Sequence, residues 1–512
     1  MSETLEVIGC LAAAAALSTS FLASNARLRA AGLVLAGALA LALIAGQGWD
    51  ELRNLREHHL EFAGLIVAGI VVLAIGAAAM LRWPILLPLL LIAALPFRVR
   101  LHVAGGQAVN LLVPLYLVIG SGVLATVVAT IRGQTRLRRL PTPLVVALVA
   151  VICLYALQTI YSPDVPFAAR NVGFFLIPFA ILFSLLAEAT WDRRLLKLAL
   201  GVLLAEGLIL AVVGIGQFVD QHIFWNGKLD ASNDFHFYFR VNSLFWDPNI
   251  YGRYLVLTIL LATTTLLWAA NRALAFALAG AVAIAFAGLV FAFSQTSFIA
   301  LFAGLIVLVA LRWSVRWTAV ATLVAVVLVG AGLLIRSSSS GSTSINTEGH
   351  GTLVSGGLKL ARHRPLYGYG SASFSKEFAR EENVPPGDTT ISHSEPVTVA
   401  AEQGAIGVIA YLGLLAAALW TVLGGMRGIT PGWGGRFRSF GEGDRVELTP
   451  ARIGIAAAFC ALLVHTIGYA AYLTDPLTWA LLAVGGVLAA EAGVGDWPRA
   501  TGGSSASRPG PP

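Results

Sequence analysis

The chain is a succession of apolar runs with most of its charge confined to the short segments between them. Most of the runs are about twenty residues long, the length a helix needs to cross the hydrocarbon core of a bilayer. Candidate runs lie near 5–24, 30–47, 61–82, 84–97, 108–131, 142–160, 169–187 and 195–219, and again near 251–269, 272–293, 297–311, 317–335, 396–424, 452–473 and 475–493. Inside a bilayer a run must satisfy its own backbone hydrogen bonds, which it does as a helix. The expectation is an all-α integral membrane protein, a polytopic bundle of roughly 14–15 transmembrane helices by the length criterion, with a large loop between two late helices. Only 12% of the residues are charged and 57% are hydrophobic, against about a quarter charged in soluble domains.

The formal net charge of +7 comes mostly from arginines between the runs. They recur on alternate sides: Arg27 and Arg29; Arg132, Arg136, Arg138 and Arg139; Arg193, Arg194 and Lys197; Arg272; Arg312 and Arg316; Arg427, Arg436 and Arg438. By the positive-inside bias this side is cytoplasmic, which puts the N-terminus outside and the C-terminus inside. The long segments 220–250 and 336–395 then lie outside; Arg53 and Arg56, and Arg98 with Arg100, run against the bias. No basic stripe with interleaved aromatics appears, so nucleic acid is not an expected partner. Cys10, Cys153 and Cys460 all sit within apolar runs, which supports neither a disulfide framework nor a cysteine metal site. The N-terminus carries acids where a cleavable signal has a basic region, so residues 5–24 are read as the first span.

Four regions follow. Residues 1–219 are the N-terminal spans, and 220–424 are a core with the outer loop 336–395. Residues 425–493 are a cytoplasmic loop and the last two spans, and 494–512 are a Gly/Ser/Pro-rich tail. Within the outer loop, Leu353, Val354, Leu358, Leu360 and Ala361 predict a short helix before Pro365.

Three polar segments fall on the outer side: Arg240 to Asn249, Ser294 to Ser297, and Ser392 to Pro396 with Glu402 further along the next span. Pro248 fixes the turn that starts a helix, Asn249 can cap it, and Arg240 and Arg253 can face an anionic ligand at its N-terminus. His393 has an ordinary pKa of about 6.5 and can take a proton from a hydroxyl at neutral pH; an interfacial packing histidine is the plainer reading. Glu402 lies two turns inside a span, where an acid needs a partner such as His465 or an arginine. Glu206 and His465 are similar intramembrane polar residues. Lys359, Arg362 and Arg364 form a basic cluster able to attract phosphate, or simply a solvated helix end. No P-loop, metal-ligand spacing or nucleophile elbow is present.

At these residues the chain resembles the O-antigen ligase and O-antigen polymerase superfamily of bacterial membrane glycosyltransferases. The likeness rests on Arg240 to Asn249 followed by Tyr251-Gly-Arg-Tyr-Leu, on Gly357 to Phe374 with its Pro, Gly-x-Gly and Phe, and on His393 with Glu402, Gly404 and Gly407. It covers roughly residues 200–425. The resemblance implies a multi-pass protein of the bacterial inner membrane that transfers a glycan from a polyprenyl (undecaprenyl) pyrophosphate carrier to a hydroxyl of a glycan, lipid or protein acceptor. It implies no metal and no other cofactor. By the same resemblance His393 is the base and Arg240 holds the pyrophosphate. The candidate catalytic residues are thus His393 and Glu402, and the candidate substrate-binding residues Arg240, Asn249, Arg253, Arg362 and Arg364. One departure stands out: many members carry an arginine where this chain has Ser297, so a second phosphate contact would come from Arg253, Arg362, Arg364 or Arg170. Ligase and polymerase share these blocks. A transporter or flippase of lipid-linked sugars, or a non-catalytic subunit of an envelope-polysaccharide assembly, are the alternatives. Charge gathered at one face of the C-terminal half, in place of a path through both halves, favours the enzyme.

Overall fold

The computed structural model describes residues 2–47, 59–102, 108–135, 140–224, 226–234, 238–313, 350–383, 392–426 and 449–494. The run near 317–335, most of the loop 425–450 and the tail from 495 lie outside the described residues. Helices α1 (Glu3–Leu22) and α2 (Ala26–Gln47) are followed by α3 (His59–Arg82), α4 (Leu86–Ala93), strands β1 (Val99–His102) and β2 (Ala108–Leu111), and α5 (Val113–Ile131). Then come α6 (Thr142–Gln158), α7 (Val165–Asn171), α8 (Ile177–Glu188), α9 (Arg193–Asp220) and α10 (Gly227–Asn233). The C-terminal half holds α11 (Pro248–Leu267), α12 (Arg272–Phe291), α13 (Gln295–Arg312), α14 (His350–His363), α15 (Phe374–Glu382), α16 (Glu395–Leu423), α17 (Thr449–Gly468) and α18 (Pro476–Glu491). Among the described residues eleven helices are long and apolar enough to cross a membrane, and Ile66–Arg82 and Pro476–Glu491 are shorter apolar helices. The expected polytopic all-α architecture is what the chain adopts.

The run near 84–97 is not a spanning helix. It forms α4, eight residues long and so rising only ~12 Å, and continues into an antiparallel hairpin that pairs Val99 with Leu111. The recrossing predicted for this stretch nevertheless takes place. Leu73 faces Gly120, Gly76 faces Ser121, and Met80 packs with Ala125, so α3 and α5 run in the same direction. The chain therefore recrosses the bundle between them through α4 and the hairpin. A five-residue π turn, Val172–Leu176, joins α7 to α8 as one rod.

Helices α8, α11, α17 and α18 are buried along most of their length. Helix α12 instead exposes Leu274, Phe276 and Phe286, as a helix facing lipid does. Burial inside the bundle requires partners for polar atoms, and Tyr254 on α11 donates to Glu206 on α9 at 2.6 Å.

Helix α16 is broken at Gly404, whose backbone lies at φ 62° and ψ −161°. A break inside a membrane span frees backbone groups that lipid cannot satisfy. Here the chain segment after α14 satisfies them. Ala405 and Ile406 donate to the carbonyls of Pro365 and Leu366 at 2.8 and 3.3 Å, while Tyr369 and Gly370 donate to those of Ala401 and Glu402 at 3.2 and 2.8 Å. The approach is so close that a Cβ on Gly368 would stand 2.3 Å from the Glu402 carbonyl carbon, and one on Gly404 2.5 Å from that of Leu366. Both glycines also need positive φ. Gly368→Ala and Gly404→Ala should each lower stability by about 1–3 kcal/mol, read as a reduced melting temperature in detergent. Gly413→Ala, further along the same helix with open space around it, should leave it unchanged or raise it slightly.

Candidate active site

The N-termini of α11, α13, α16 and α18 and the C-terminus of α17 meet at one end of the bundle. Arg253, in the second turn of α11, is the most deeply placed charge there, with 1% of its surface exposed. Its guanidinium is held on every side: Nη1 donates to Asp475 Oδ2 at 2.5 Å and to the Ala471 carbonyl at 3.0 Å. Nη2 donates to the Tyr469 carbonyl at 3.2 Å, and Nε and Nη2 reach His465 Nδ1 at 3.2 and 3.1 Å. Because Nδ1 accepts, the proton of a neutral His465 sits on Nε2, which donates to Ser297 Oγ at 3.1 Å. Ser297 and Ser294 share a bond of 2.8 Å, and Ser294 Oγ donates to Asn249 Oδ1 at 2.7 Å. The relay thus runs from a buried cation to Asn249, whose Nδ2 amino group is its donor end.

The relay joins two of the three sequence segments, and the third meets it through Glu395, which holds the N–H of Ala471, a residue whose carbonyl Arg253 binds. Asp247, not Asn249, caps α11: its Oδ1 accepts the Asn249 N–H at 2.6 Å, with Pro248 as the first helical residue. His465 is bound to Arg253 and Ser297 and is not the partner of Glu402. Arg253 is occupied entirely within the protein. Ser297, standing where many relatives have an arginine, is fully buried against His465 and Ser294.

His393 occupies the turn that enters α16, with φ 58°. Ser392 Oγ accepts the Ser394 N–H at 3.1 Å and pairs with Thr398 Oγ1 at 2.7 Å. On the other side of the turn, Glu395 Oε2 accepts the N–H groups of Ala471 and Tyr472 at 2.8 and 3.2 Å. The His393 ring lies 5.9 Å from that of Tyr469, which also borders His465 at 6.0 Å and the Arg253 guanidinium at 5.6 Å. Burial, and then the negative charge of the Asp247 carboxylate, hold the Tyr469 hydroxyl well above its ordinary pKa, while Arg253 and Arg98 pull it back. The hydroxyl is therefore neutral.

Glu402 has both oxygens engaged by the chain segment it faces: Oε2 accepts the Ala372 N–H at 2.9 Å and Oε1 the Phe374 N–H at 3.1 Å. Arg240 is half-buried; its backbone N–H and carbonyl pair with the Asn233 side chain at 3.0 Å each, and its Nε donates to the Ala292 carbonyl at 3.4 Å. It thereby abuts the turn between α12 and α13 that carries Ser294. Arg362 and Arg364 are exposed at the end of α14, Arg364 lying over the Tyr369 ring at 4.5 Å. Lys359 is paired with Glu381 at 2.9 Å. Arg170 lies on α7, where its Nε donates to Gln47 at 3.4 Å. So His393, Asn249 and Arg253 belong to one connected cluster and Arg240 borders it, while Arg362 and Arg364 sit on the helix that overlies α16.

Tyr469 and Asp475, which touch Arg253 and the His393 ring or hold them in place, escaped sequence reasoning. Tyr469 and Asp475 begin and end the seven-residue connection between α17 and α18, which looks like an ordinary interfacial turn. Among the described residues seven non-glycine residues have positive φ, and five of them (Ser243, Phe293, Ala372, His393 and Ala471) lie in the turns at this end. Such backbone costs of order 1–3 kcal/mol each and persists only where neighbours over-determine it.

Asp475→Asn should cost about 3–5 kcal/mol, because it leaves the Arg253 charge buried without its carboxylate. The double variant Arg253→Met/Asp475→Leu should melt higher than Asp475→Asn alone. Thermal unfolding of the purified variants checks both.

A family model for O-antigen ligase matches residues 280–412. No curated protein matches the chain significantly. The matched stretch begins within α12 and takes in α13, α14, α15, the His393 turn and α16 past Glu402 and Gly407. Arg98, Arg240, Asn249 and Arg253 precede it; His465, Tyr469 and Asp475 follow it. The chain is thus a multi-pass helical membrane protein, and residues 280–412 of it are similar to the O-antigen ligase family.

Proposed function

We propose that the protein transfers a glycan from a polyprenyl-pyrophosphate carrier to an acceptor hydroxyl at the extracytoplasmic face of a bacterial inner membrane. The observation that carries this reading is the His393 turn. It is a strained histidine, fixed from both sides, next to Tyr469 and a relay of buried polar groups, within the stretch that matches the O-antigen ligase family. In this reading the N-terminus is outside, residues 220–424 hold most of the chemistry, and residues 1–219 support it.

His393 takes the proton of the acceptor hydroxyl as that oxygen attacks the anomeric carbon of the donor. The new carbon–oxygen bond forms as the bond to the pyrophosphate oxygen breaks, and the leaving group keeps the electron pair. The charge developing on it is met by Arg240, a fixed guanidinium that presents a planar fork, and by the amino group at the Asn249 end of the relay. A single base opposite the leaving group gives inversion at the anomeric carbon. Glu402 acts through the segment it holds, keeping Gly370 to Phe374 against α16. Arg362 and Arg364 lie where a donor or acceptor would approach over α14. With guanidinium groups taking the charge, the transfer needs no divalent cation.

The test is transfer by the purified protein in nanodiscs, from a polyprenyl-pyrophosphate oligosaccharide, with and without a chelator. Wild type should turn over equally in both. His393→Ala should lose about 10²–10⁴-fold in rate, the contribution of a positioned general base, and Arg240→Ala should also lose activity. A ladder of lengthened lipid-linked products identifies a polymerase, and a single product on an added acceptor a ligase. Full activity in His393→Ala would refute the mechanism.

A further inference from the structure

Away from the His393 end, a cavity opens where α1 and α8 end and α2 and α6 begin. Ser20, Phe21, Arg29, Phe183, Ser184 and Glu188 line it. At the other end of α6, Gln158 donates to the Gln403 carbonyl beside the break in α16 at 3.3 Å. The cavity is therefore on the opposite face of the bundle from His393, the face that Arg27, Arg29, Arg193 and Arg194 mark as cytoplasmic. All four helices belong to segments long and apolar enough to cross a membrane. Their ends, and the cavity between them, stand at the level of the lipid headgroups.

Two opposite charges share this cavity without pairing. Arg29 Nε donates to the Ala23 carbonyl at 2.6 Å, which holds the guanidinium at the end of α1. Among the described residues, neither its two Nη groups nor the Glu188 carboxylate makes a hydrogen bond or an ion pair. A half-buried carboxylate at the end of a span is costly unless something meets it. Ser184 Oγ donates to the Ala180 carbonyl at 3.2 Å, so toward the cavity it accepts. One side of the cavity thus offers acceptors and negative charge, and the other offers a guanidinium. The Phe21 and Phe183 rings, with centroids 5.5 Å apart, add surfaces that attract an ammonium.

Size and surroundings narrow the ligand further. The cavity has about 50 Å³ for the centres of water-sized groups, room for roughly four of them. That suits an aminoethyl group and is tight for a trimethylammonium. Leu22 and Leu28, the chain neighbours of Phe21 and Arg29, are 57% and 54% exposed, so apolar surface for acyl chains adjoins the polar cavity. We propose that this cavity binds the headgroup of phosphatidylethanolamine from the cytoplasmic leaflet, its ammonium on Glu188 and Ser184 and its phosphate on Arg29. Phosphatidylglycerol has no ammonium for Glu188, and phosphatidylcholine has no N–H to donate. The site is separate from the glycosyl-transfer reading and does not depend on it.

The experiment measures lipid retention by native mass spectrometry on delipidated protein in a neutral detergent. The probes are phosphatidylethanolamine, phosphatidylcholine and phosphatidylglycerol with identical acyl chains, and soluble glycerophosphoethanolamine. Wild type is compared with Glu188→Gln, Arg29→Gln and Ser184→Leu, which fills the cavity, and with Arg132→Gln as a control. Wild type and Arg132→Gln should bind one phosphatidylethanolamine about tenfold or more tightly than either other lipid. Glu188→Gln should lose the preference over phosphatidylcholine, Arg29→Gln should bind all three lipids weakly, and Ser184→Leu should bind none at this site. Without lipid, Glu188→Gln should melt no lower than wild type, because its carboxylate has no protein partner to lose. The rise in melting temperature that phosphatidylethanolamine gives the wild type should vanish in it. Equal retention of phosphatidylethanolamine and phosphatidylcholine by wild type would overturn the proposal. So would a preference that survives in folded Glu188→Gln and Ser184→Leu. Binding of glycerophosphoethanolamine as tight as that of the lipid would make the occupant a soluble headgroup and overturn the lipid assignment.

Discussion

A guanidinium taken out of water must be matched by the protein, and at Arg253 that requirement organises one end of the bundle. The carboxylate comes from Asp475, which caps α18, the imidazole from α17, and two carbonyls from the connection between them. Three spanning elements are therefore fixed relative to one another by one side chain. The same requirement settles the tautomer of His465, which points a proton at Ser297 and so gives direction to the relay ending on Asn249. A buried ion pair of this kind is weak evidence for stability, since an apolar replacement of both partners can serve as well. Its consequence here is register: it sets where the turns before α11, α13 and α18 stand.

The turns themselves are the second constraint. His393 is held in left-handed backbone by Ser392 on one side and Glu395 on the other, and Glu395 in turn fixes Ala471, itself at φ 104°. Glu402 does the same for the segment that carries Ala372. Each carboxylate accepts two backbone N–H groups, so the acids inside this span hold irregular chain at membrane depth, where lipid offers no hydrogen bonds. The break at Gly404 belongs to this scheme, because an unbroken α16 would have no backbone groups to offer the segment 365–370.

Together these features make this end of the bundle rigid around His393 and Arg253. Arg240, Arg253, His465 and Asp475 lie outside the stretch that matches the O-antigen ligase family. The matched stretch supplies His393 and the support beneath it, and the electrostatics around it are assembled by the rest of the bundle.

The sequence by itself determined that the chain is a helical membrane bundle, because runs of about twenty apolar residues admit no other arrangement in lipid. It also determined where polar residues would gather and which histidine stands at a span entrance, since charge at that depth is disfavoured without a use. The short helix before Pro365 was legible from its apolar pattern. What sequence could not decide was pairing. Glu402 with His465 is as plausible by spacing as His465 with Arg253, and only packing shows that one acid binds amides and the other histidine nitrogen binds a serine. The run near 84–97 is apolar enough for a span, yet its helix ends after eight residues and the recrossing is completed by a hairpin. Tyr469 and Asp475 met Arg253 only in the tertiary structure, because it lies on a helix distant in sequence, and periodicity carries no information about which helices meet.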